Sequence, residues 1–323
     1  MKEVRINENE HNQRMDKFLK KFFPKASSGF IYKMLRKKRI KLNNSKAQPK
    51  DILNKGDVLQ LYLSKETINK FQEDKKVEDI SVTFEIVYED ENIVLINKPK
   101  GLLSHAATEN STNTVVKQLI SYLHKRGVYD PKKEKTFVPS ICNRLDRNTS
   151  GIIIGGKNHI SLQVINNSIK NNGIRKLYKC IVRGKINEDR YLNGYIIKDL
   201  EDNIVKVSNK ELSNSKRIQT IINPIKTNND FTLLEIELIT GRTHQIRAHL
   251  ASIEHPIIGD IKYGCKETNE FFKKKYGLKS QFLHAYEIGF KNVEKPLNYL
   301  NGQIFSAPMT QQLQNIEDDL FGE

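Results

Sequence analysis

Asn143-Arg144-Leu145-Asp146-Arg147-Asn148-Thr149-Ser150-Gly151 runs without a break into Ile152-Ile153-Ile154. One carboxylate, Asp146, stands between two arginines at the lip of an apolar run that reads as a buried strand. Opposite charge within a few ångströms keeps a carboxylate ionised and oriented. Such a group suits nucleophilic attack better than proton donation, which requires a raised pKa. By itself the nonapeptide reads equally as an exposed turn with a solvated ion pair, so its weight depends on what flanks it.

Outward from that strand the chain reads as mixed α and β. Phe84 to Tyr88 and Ile93 to Asn97 are predicted strands joined by a turn at Glu89-Asp90-Glu91-Asn92. Thr114 to Lys125 has helical spacing through Val115, Leu119, Ile120 and Leu123. His159 to Lys170 places Ile160, Val164, Ile165 and Ile169 on one stripe, with Gly173 as a stop. Lys176 to Val182 and Thr232 to Leu238 alternate as strands, and Thr243 is placed to cap a helix reaching Ile253. No G-x-G-x-x-G follows a strand, because Gly155-Gly156-Lys157 lacks the spacing, so a doubly wound nucleotide-cofactor fold is not expected.

At 323 residues the chain has room for two domains, and its net charge of +16 points to a polyanionic partner. No run of about 18 apolar residues occurs. Met1-Lys2-Glu3-Val4-Arg5 lacks the apolar core of a signal peptide. Cys142, Cys180 and Cys265 lie far apart with no CxxC pair, against both a disulfide framework and a zinc site. The expectation is a cytoplasmic, reduced protein with no membrane contact, no metal and no cofactor, acting as a monomer.

The basic charge is concentrated. From Asp16 to Lys50 there are twelve Lys or Arg and one acid. Phe18, Leu19, Phe22 and Phe23 form the apolar face of one short helix; Phe30, Ile31, Met34 and Leu35 form another after a Ser27 or Ser28 cap. Lys33, Arg36, Lys37, Lys38 and Arg39 run out of the second helix into Ile40-Lys41-Leu42-Asn43. Lys55-Gly56-Asp57 reads as a turn before a strand through Leu59, Leu61 and Leu63. Two small helices and a few strands with a basic face suit phosphate contacts that position a nucleic acid without reading its bases. A solvated lysine-rich face is the plainer alternative. Lys65 to Ile80, mixed in charge and poor in apolar residues, reads as a linker, giving domains at 1–64 and 81–323.

The nonapeptide resembles the catalytic signature H-R-L-D-R-[DN]-T-S-G of the RluA-type pseudouridine synthases. Other segments match that family in order: Ile96-Asn97-Lys98-Pro99-Lys100-Gly101-Leu102, Arg175 to Gly184, Thr240 to Leu250, His255-Pro256-Ile257-Ile258-Gly259-Asp260 with Tyr263-Gly264, and Phe282-Leu283-His284-Ala285. The resemblance covers roughly residues 80 to 310, and ordered blocks are far more specific than one pattern. It implies an α+β fold, with a central, mostly antiparallel bent sheet flanked by helices and an active cleft across its middle. Residues 1–64 resemble the αL-type RNA-binding domain shared with a small-subunit ribosomal protein of the S-four type. Asp202-Asn203-Ile204-Val205-Lys206-Val207-Ser208 tilts the likeness towards the RluC/RluD branch, which acts on large-subunit ribosomal RNA.

Carried over residue by residue, the resemblance implies that Asp146 is the catalytic aspartate and that Tyr178 stacks on the target base. Tyr178 would also help remove the proton from the new carbon–carbon linkage. Arg242 is the expected partner of the aspartate, and Arg144 the residue that fills the space left by a flipped uridine. Flipping is needed because the reacting bond is inaccessible in a stacked helix, at a cost of roughly a few kcal/mol. A single carboxylate suffices in principle, since a detached uracil anion is delocalised, whereas most glycoside hydrolysis needs a second acid. Attack on the anomeric carbon, attack on the uracil ring, and assistance to a glycal route all remain compatible with the sequence. One departure stands out: the usual His of the signature is Asn143, which keeps a donor and an acceptor but no charge. His244, His249 and His255 lack metal-ligand spacing and read as structural or RNA-facing. Ser150 with a distant histidine has no G-x-S-x-G elbow, so a hydrolase gets little support. A tRNA-modifying enzyme of the same family and a non-catalytic ribosome-assembly protein are the rival readings.

Overall fold

The computed structural model describes residues 1–73, 76–106, 108, 111–199 and 204–322. The chain divides into two units: Met1–Val82 with Lys117–Ser140 and Gly156–Gln163, and Thr83–Val116 with Ile141–Gly155 and Val164–Glu323.

In the first unit, strands Lys2–Arg5, Val58–Leu61, Ile40–Leu42 and Ser45–Lys46 form one antiparallel sheet in that order. Helices Met15–Phe22 and Ser28–Arg36 bury the apolar faces read from the sequence: Phe18, Leu19, Phe22, Phe23, Ile31 and Leu35 share one core with Leu59 and Leu61. Ser27 is the cap, its Oγ accepting the Phe30 N–H at 3.2 Å. Beyond the helix Lys38 adopts a left-handed conformation (φ 55°) that turns the chain into the next strand. Lys33, Arg36, Lys37, Lys38 and Arg39 are all exposed.

The segment expected to be a linker begins instead with a helix, Lys65–Phe71, capped by Ser64. Ile68 is buried in the same core, and the Phe71 ring lies 4.4 Å from that of Phe30. Two apolar residues three apart suffice to dock one helical face, too few to stand out in a charged window. Asp74 and Lys75, from the rest of that segment, lie outside the described residues. The unit also draws in segments from beyond residue 80. Glu10, buried, lies 3.7 Å from Lys135 Nζ, and Asn9 Oδ1 accepts the His159 N–H at 3.1 Å.

The second unit is built on a mixed, mostly antiparallel sheet of eleven strands among the described residues. Its central path runs Ile204–Ser208, Arg190–Asp199, Lys216–Thr227, Phe231–Leu238, Ile174–Arg183, Leu283–Phe290, Ser150–Gly156, Ile93–Lys98 and Glu85–Glu89. Helices Gln245–Ser252, Lys266–Tyr276 and Gln311–Phe321 complete an α+β architecture. The strand after the nonapeptide, Ser150–Gly156, is buried at every position, and it pairs in parallel with Leu283–Phe290 through Ser150↔His284 and Gly151↔Ala285. Gly151 has φ 113°, and a Cβ there would stand 2.1 Å from the Ala285 carbonyl oxygen. Only glycine allows this crossing directly behind the Asp146 loop.

Thr243 does not cap the following helix. The N-cap is His244, in a left-handed conformation and without a side-chain cap bond. Gln245 reaches back instead, its Oε1 accepting the Arg242 N–H at 3.1 Å and the Thr240 hydroxyl at 2.9 Å. Of the RluC-like segment, Asp202 and Asn203 lie outside the described residues; the remainder is the strand Ile204–Ser208. Among the described residues no helix is long and apolar enough to cross a membrane.

Candidate active site

The Asp146 loop forms one wall of an open cleft of about 710 Å³ in the second unit. Arg144, Tyr178, Arg242, His244 and Arg247 also line it. Tyr178 projects from the strand Ile174–Arg183, opposite Ile236, while Arg242, His244 and Arg247 come from the turn and first helical residues that follow the strand Phe231–Leu238.

Asp146 is not held by its neighbours in sequence. Arg147 turns away and donates from Nε to the Gly101 carbonyl at 3.1 Å, and Arg144 is exposed. Nor is Arg242 the partner: it is exposed, and the basic groups within 4 Å of the Asp146 carboxylate among the described residues are Arg247 and His244. The guanidinium that holds the aspartate belongs to Arg247, whose Nη1 lies 2.8 Å from Asp146 Oδ2. Arg242 sits before the helix, whereas Arg247 sits within it, on the face turned into the protein, with only 6% of its side chain exposed.

Arg247 is itself fixed from behind. Its Nε and Nη2 donate to both carboxylate oxygens of Asp260 at 2.7 and 2.9 Å, and Asp260 is completely buried. Asp260 Oδ1 also accepts the N–H groups of Lys262 and Tyr263. A buried ion pair is tolerated when its geometry is bidentate and its remaining lone pairs are used, and both conditions hold here. Burial works against the charge on Arg247, but the hydrogen bond and charge of Asp260, then those of Asp146, outweigh it and raise its pKa. Asp146 keeps 26% of its side chain open to the cleft.

Tyr178 is only 5% exposed, and burial first, then the charge of Asp146, push its hydroxyl well above the ordinary tyrosine range. It stays a neutral phenol at physiological pH, able to give or accept a hydrogen bond but not to serve as a standing phenolate base.

Three contacts that shape the loop were not predicted from the sequence. Lys98 is completely buried, and its Nζ donates to the carbonyls of Pro99, Leu102 and Arg147 at 2.8, 2.9 and 3.0 Å. Burial pulls this ammonium down to about 7 against the lifting charge of Asp146. Ser104 clamps Leu145 from both sides, its Oγ donating to the carbonyl at 2.7 Å and accepting the N–H at 3.1 Å. Asn143 bridges to the following strand, donating to Ile152 O at 3.2 Å and accepting from Ile154 N at 2.8 Å. Both functions of the amide are thus spent on backbone, a structural role that needs no ionisable ring. Ser150 does meet a histidine, His284 Nδ1 at 2.8 Å, but both are buried and His284 Nε2 faces the Ala307 carbonyl. That pair braces the crossing strands and reaches no substrate. Among the described residues no cluster of three or more metal-ligating side chains occurs.

Fold and cleft therefore define an α+β protein that presents one ion-paired carboxylate beside a buried tyrosine in a cationic groove. Residues 92–252 match the family model of RNA pseudouridylate synthases. An uncharacterised RNA pseudouridine synthase of Mycoplasma capricolum is 35% identical over 303 residues, 93% of this chain and 95% of that protein. Ribosomal large subunit pseudouridine synthase C of Rickettsia bellii is 31% identical, covering 85% of this chain and 88% of its own. The fold is shared with human RNA pseudouridylate synthase domain containing 4, at a TM-score of 0.57 and 20% identity, over 73% of this chain and 92% of that one. The chain belongs to the RNA pseudouridine synthase family, whose members are isomerases.

Proposed function

We propose that this protein converts uridines of large-subunit ribosomal RNA to pseudouridine, with Asp146 as the catalytic group. The observation that carries the reading is the Asp146–Arg247–Asp260 chain. It holds one carboxylate oxygen on a buried guanidinium and leaves the carboxylate partly open to a cleft. Tyr178 is the residue against which the flipped base stacks, and Arg144, exposed at the rim, takes the vacated place in the RNA. Arg242 is a cleft-side contact for the RNA backbone and not the aspartate's counterion. The exposed group Lys33, Arg36, Lys37, Lys38 and Arg39 gives the first unit a phosphate-binding face, in keeping with its likeness to an αL-type RNA-binding domain. The ribosomal target is supported by the names of relatives in Rickettsia bellii and Buchnera aphidicola, both ribosomal large subunit pseudouridine synthase C.

The test maps pseudouridines across total RNA by chemical derivatisation and primer extension. A deletion strain complemented with the wild type is compared with one carrying Asp146→Ala. Loss of stops from large-subunit rRNA in the variant is the expected outcome. Loss confined to tRNA would overturn the target, and unchanged stops would overturn the role of Asp146.

A further inference from the structure

His244 has a place in this site that the roles above leave unused. It lines the cleft, its side chain is 11% exposed, and its backbone adopts the left-handed conformation, φ 54° and ψ 16°. Non-glycine residues visit that region rarely, and such strain concentrates at functional sites. The strain has a result: it aims the imidazole between Tyr263 and Asp146.

The hydrogen bonds suit one tautomer of the ring. Tyr263 Oη accepts the Val205 N–H at 2.8 Å, which leaves its own proton for His244 Nδ1, 3.0 Å away. Nδ1 is then the acceptor, and the ring proton sits on Nε2. Nε2 lies 3.8 Å from Asp146 Oδ2, the oxygen that Arg247 also holds, and so stands just short of a hydrogen bond. Tyr263 is well braced for this task. Its N–H is bound to Asp260 Oδ1, and its ring lies 5.2 Å from the Arg247 guanidinium and edge-on to His244 at 5.7 Å. One turn, Asp260 to Tyr263, thus backs both groups that face the aspartate. The charged groups acting on His244 are Asp146, Arg247, Lys262 and Asp260. Burial outweighs them and lowers its pKa, so the ring meets Asp146 as a neutral donor.

We propose that His244 is a positioning residue for Asp146, locked by Tyr263 as the Nε2–H tautomer. It closes on Oδ2 as a second donor when a uridine fills the cleft and displaces solvent. Two donors on one carboxylate oxygen leave Oδ1 as the only reactive lobe and fix its direction. Apo catalytic contacts are commonly long and tighten when substrate binds. The inference rests on Asp146 being the catalytic group.

The test is single-turnover kinetics at saturating RNA, with RNA affinity and melting temperature measured on the same samples. His244→Ala lowers the maximal rate by about 10- to 100-fold, the worth of one hydrogen bond to a charged group, with RNA affinity unchanged within about twofold. His244→Gln, which can present an amide N–H near the Nε2 position, recovers most of that loss, and His244→Asn, which mimics Nδ1, does not. Tyr263→Phe gives a smaller loss that adds nothing to His244→Ala in the double variant. Nitrogen NMR of the wild type reads the tautomer directly, independently of how the variants fold: an unprotonated Nδ1 in the wild type and a tautomer mixture in Tyr263→Phe. A full rate in His244→Ala, equal losses in Ala and Gln that follow melting temperature, or a protonated Nδ1 in the wild type each overturn the proposal. If Asp146→Ala is inactive while His244→Ala is normal, only this inference falls. Turnover in Asp146→Ala removes both.

Discussion

Asp260→Asn separates the fixing of Arg247 from contact with RNA, because Asp260 is completely buried and lies behind the guanidinium. The substitution keeps the shape but removes the charge. It also replaces one acceptor oxygen with an NH2 group, facing either Arg247 Nε or, at the other oxygen, Arg247 Nη2 with the N–H groups of Lys262 and Tyr263. Donor then meets donor whichever way the amide is turned. Removing one partner of a buried pair costs about 3–5 kcal/mol. Asn retains one acceptor, so we take the lower end, about 3 kcal/mol, which corresponds to a fall in Tm of roughly 6–12 °C for a unit of this size. Asp146 then shares a guanidinium that is no longer anchored, and displacement of a reacting group by an ångström can cost about 100-fold in rate. The expected result is a loss of 10- to 100-fold (order of magnitude) in the single-turnover rate with RNA affinity unchanged. Thermal denaturation and pseudouridine formation on one preparation measure both. A variant with wild-type Tm and wild-type rate would refute the view that Asp260 anchors the site.

Other expectations follow from the same structure. Lys98→Met strands the carbonyls of Pro99 and Leu102, at about 1–3 kcal/mol for each buried acceptor left unsatisfied, and leaves the Arg147 carbonyl with the Gly101 N–H alone. Hydrogen exchange should quicken at Gly101 N–H, which bonds to Arg147 O, and unchanged exchange and Tm would discount the lysine as the loop's brace. His249 and His284 are buried and each is pulled down by burial to about 4. Both stay neutral in the fold while the unfolded chain takes up protons below about pH 6.5, so unfolding free energy falls as pH drops from 6.5 towards 4. Urea denaturation at pH 6.5 and pH 5 should show that fall, and His249→Gln should reduce its slope by somewhat less than one proton; equal stability at the two pH values would contradict the neutral-histidine reading. Changing Lys33, Arg36, Lys37, Lys38 and Arg39 together to Gln should weaken RNA binding and flatten its salt dependence, by about 0.7 in log–log slope for each single-strand phosphate that is no longer neutralised. An unchanged slope would move the electrostatic footprint off the first unit.

Much of this protein was legible one segment at a time. The apolar faces of the two N-terminal helices, the buried strand behind Asp146 and the mostly antiparallel α+β class follow from periodicity or from ordered family blocks, and the structure agrees within a residue or two at most boundaries. The helix Lys65–Phe71 was missed because its docking depends on two residues that only a preformed core makes visible. At the site, the sequence located Asp146 and Tyr178 and the block that supplies the counterion, but put the pairing on Arg242.

What the sequence determined by itself is local: which residues alternate, which carry charge, and which runs of neighbours form a recognisable order. Which arginine meets the aspartate was decided only by the tertiary structure. Adjacency along the chain brought Arg144 and Arg147 close in number, yet Arg147 faces the Gly101 carbonyl and Arg144 is exposed. Arg247, 101 positions away from Asp146, arrives because a left-handed residue starts its helix and a buried carboxylate turns its guanidinium into the cleft. An ion pair of consequence needs direction and exclusion of water, and both are properties of how elements pack, not of their order in the chain.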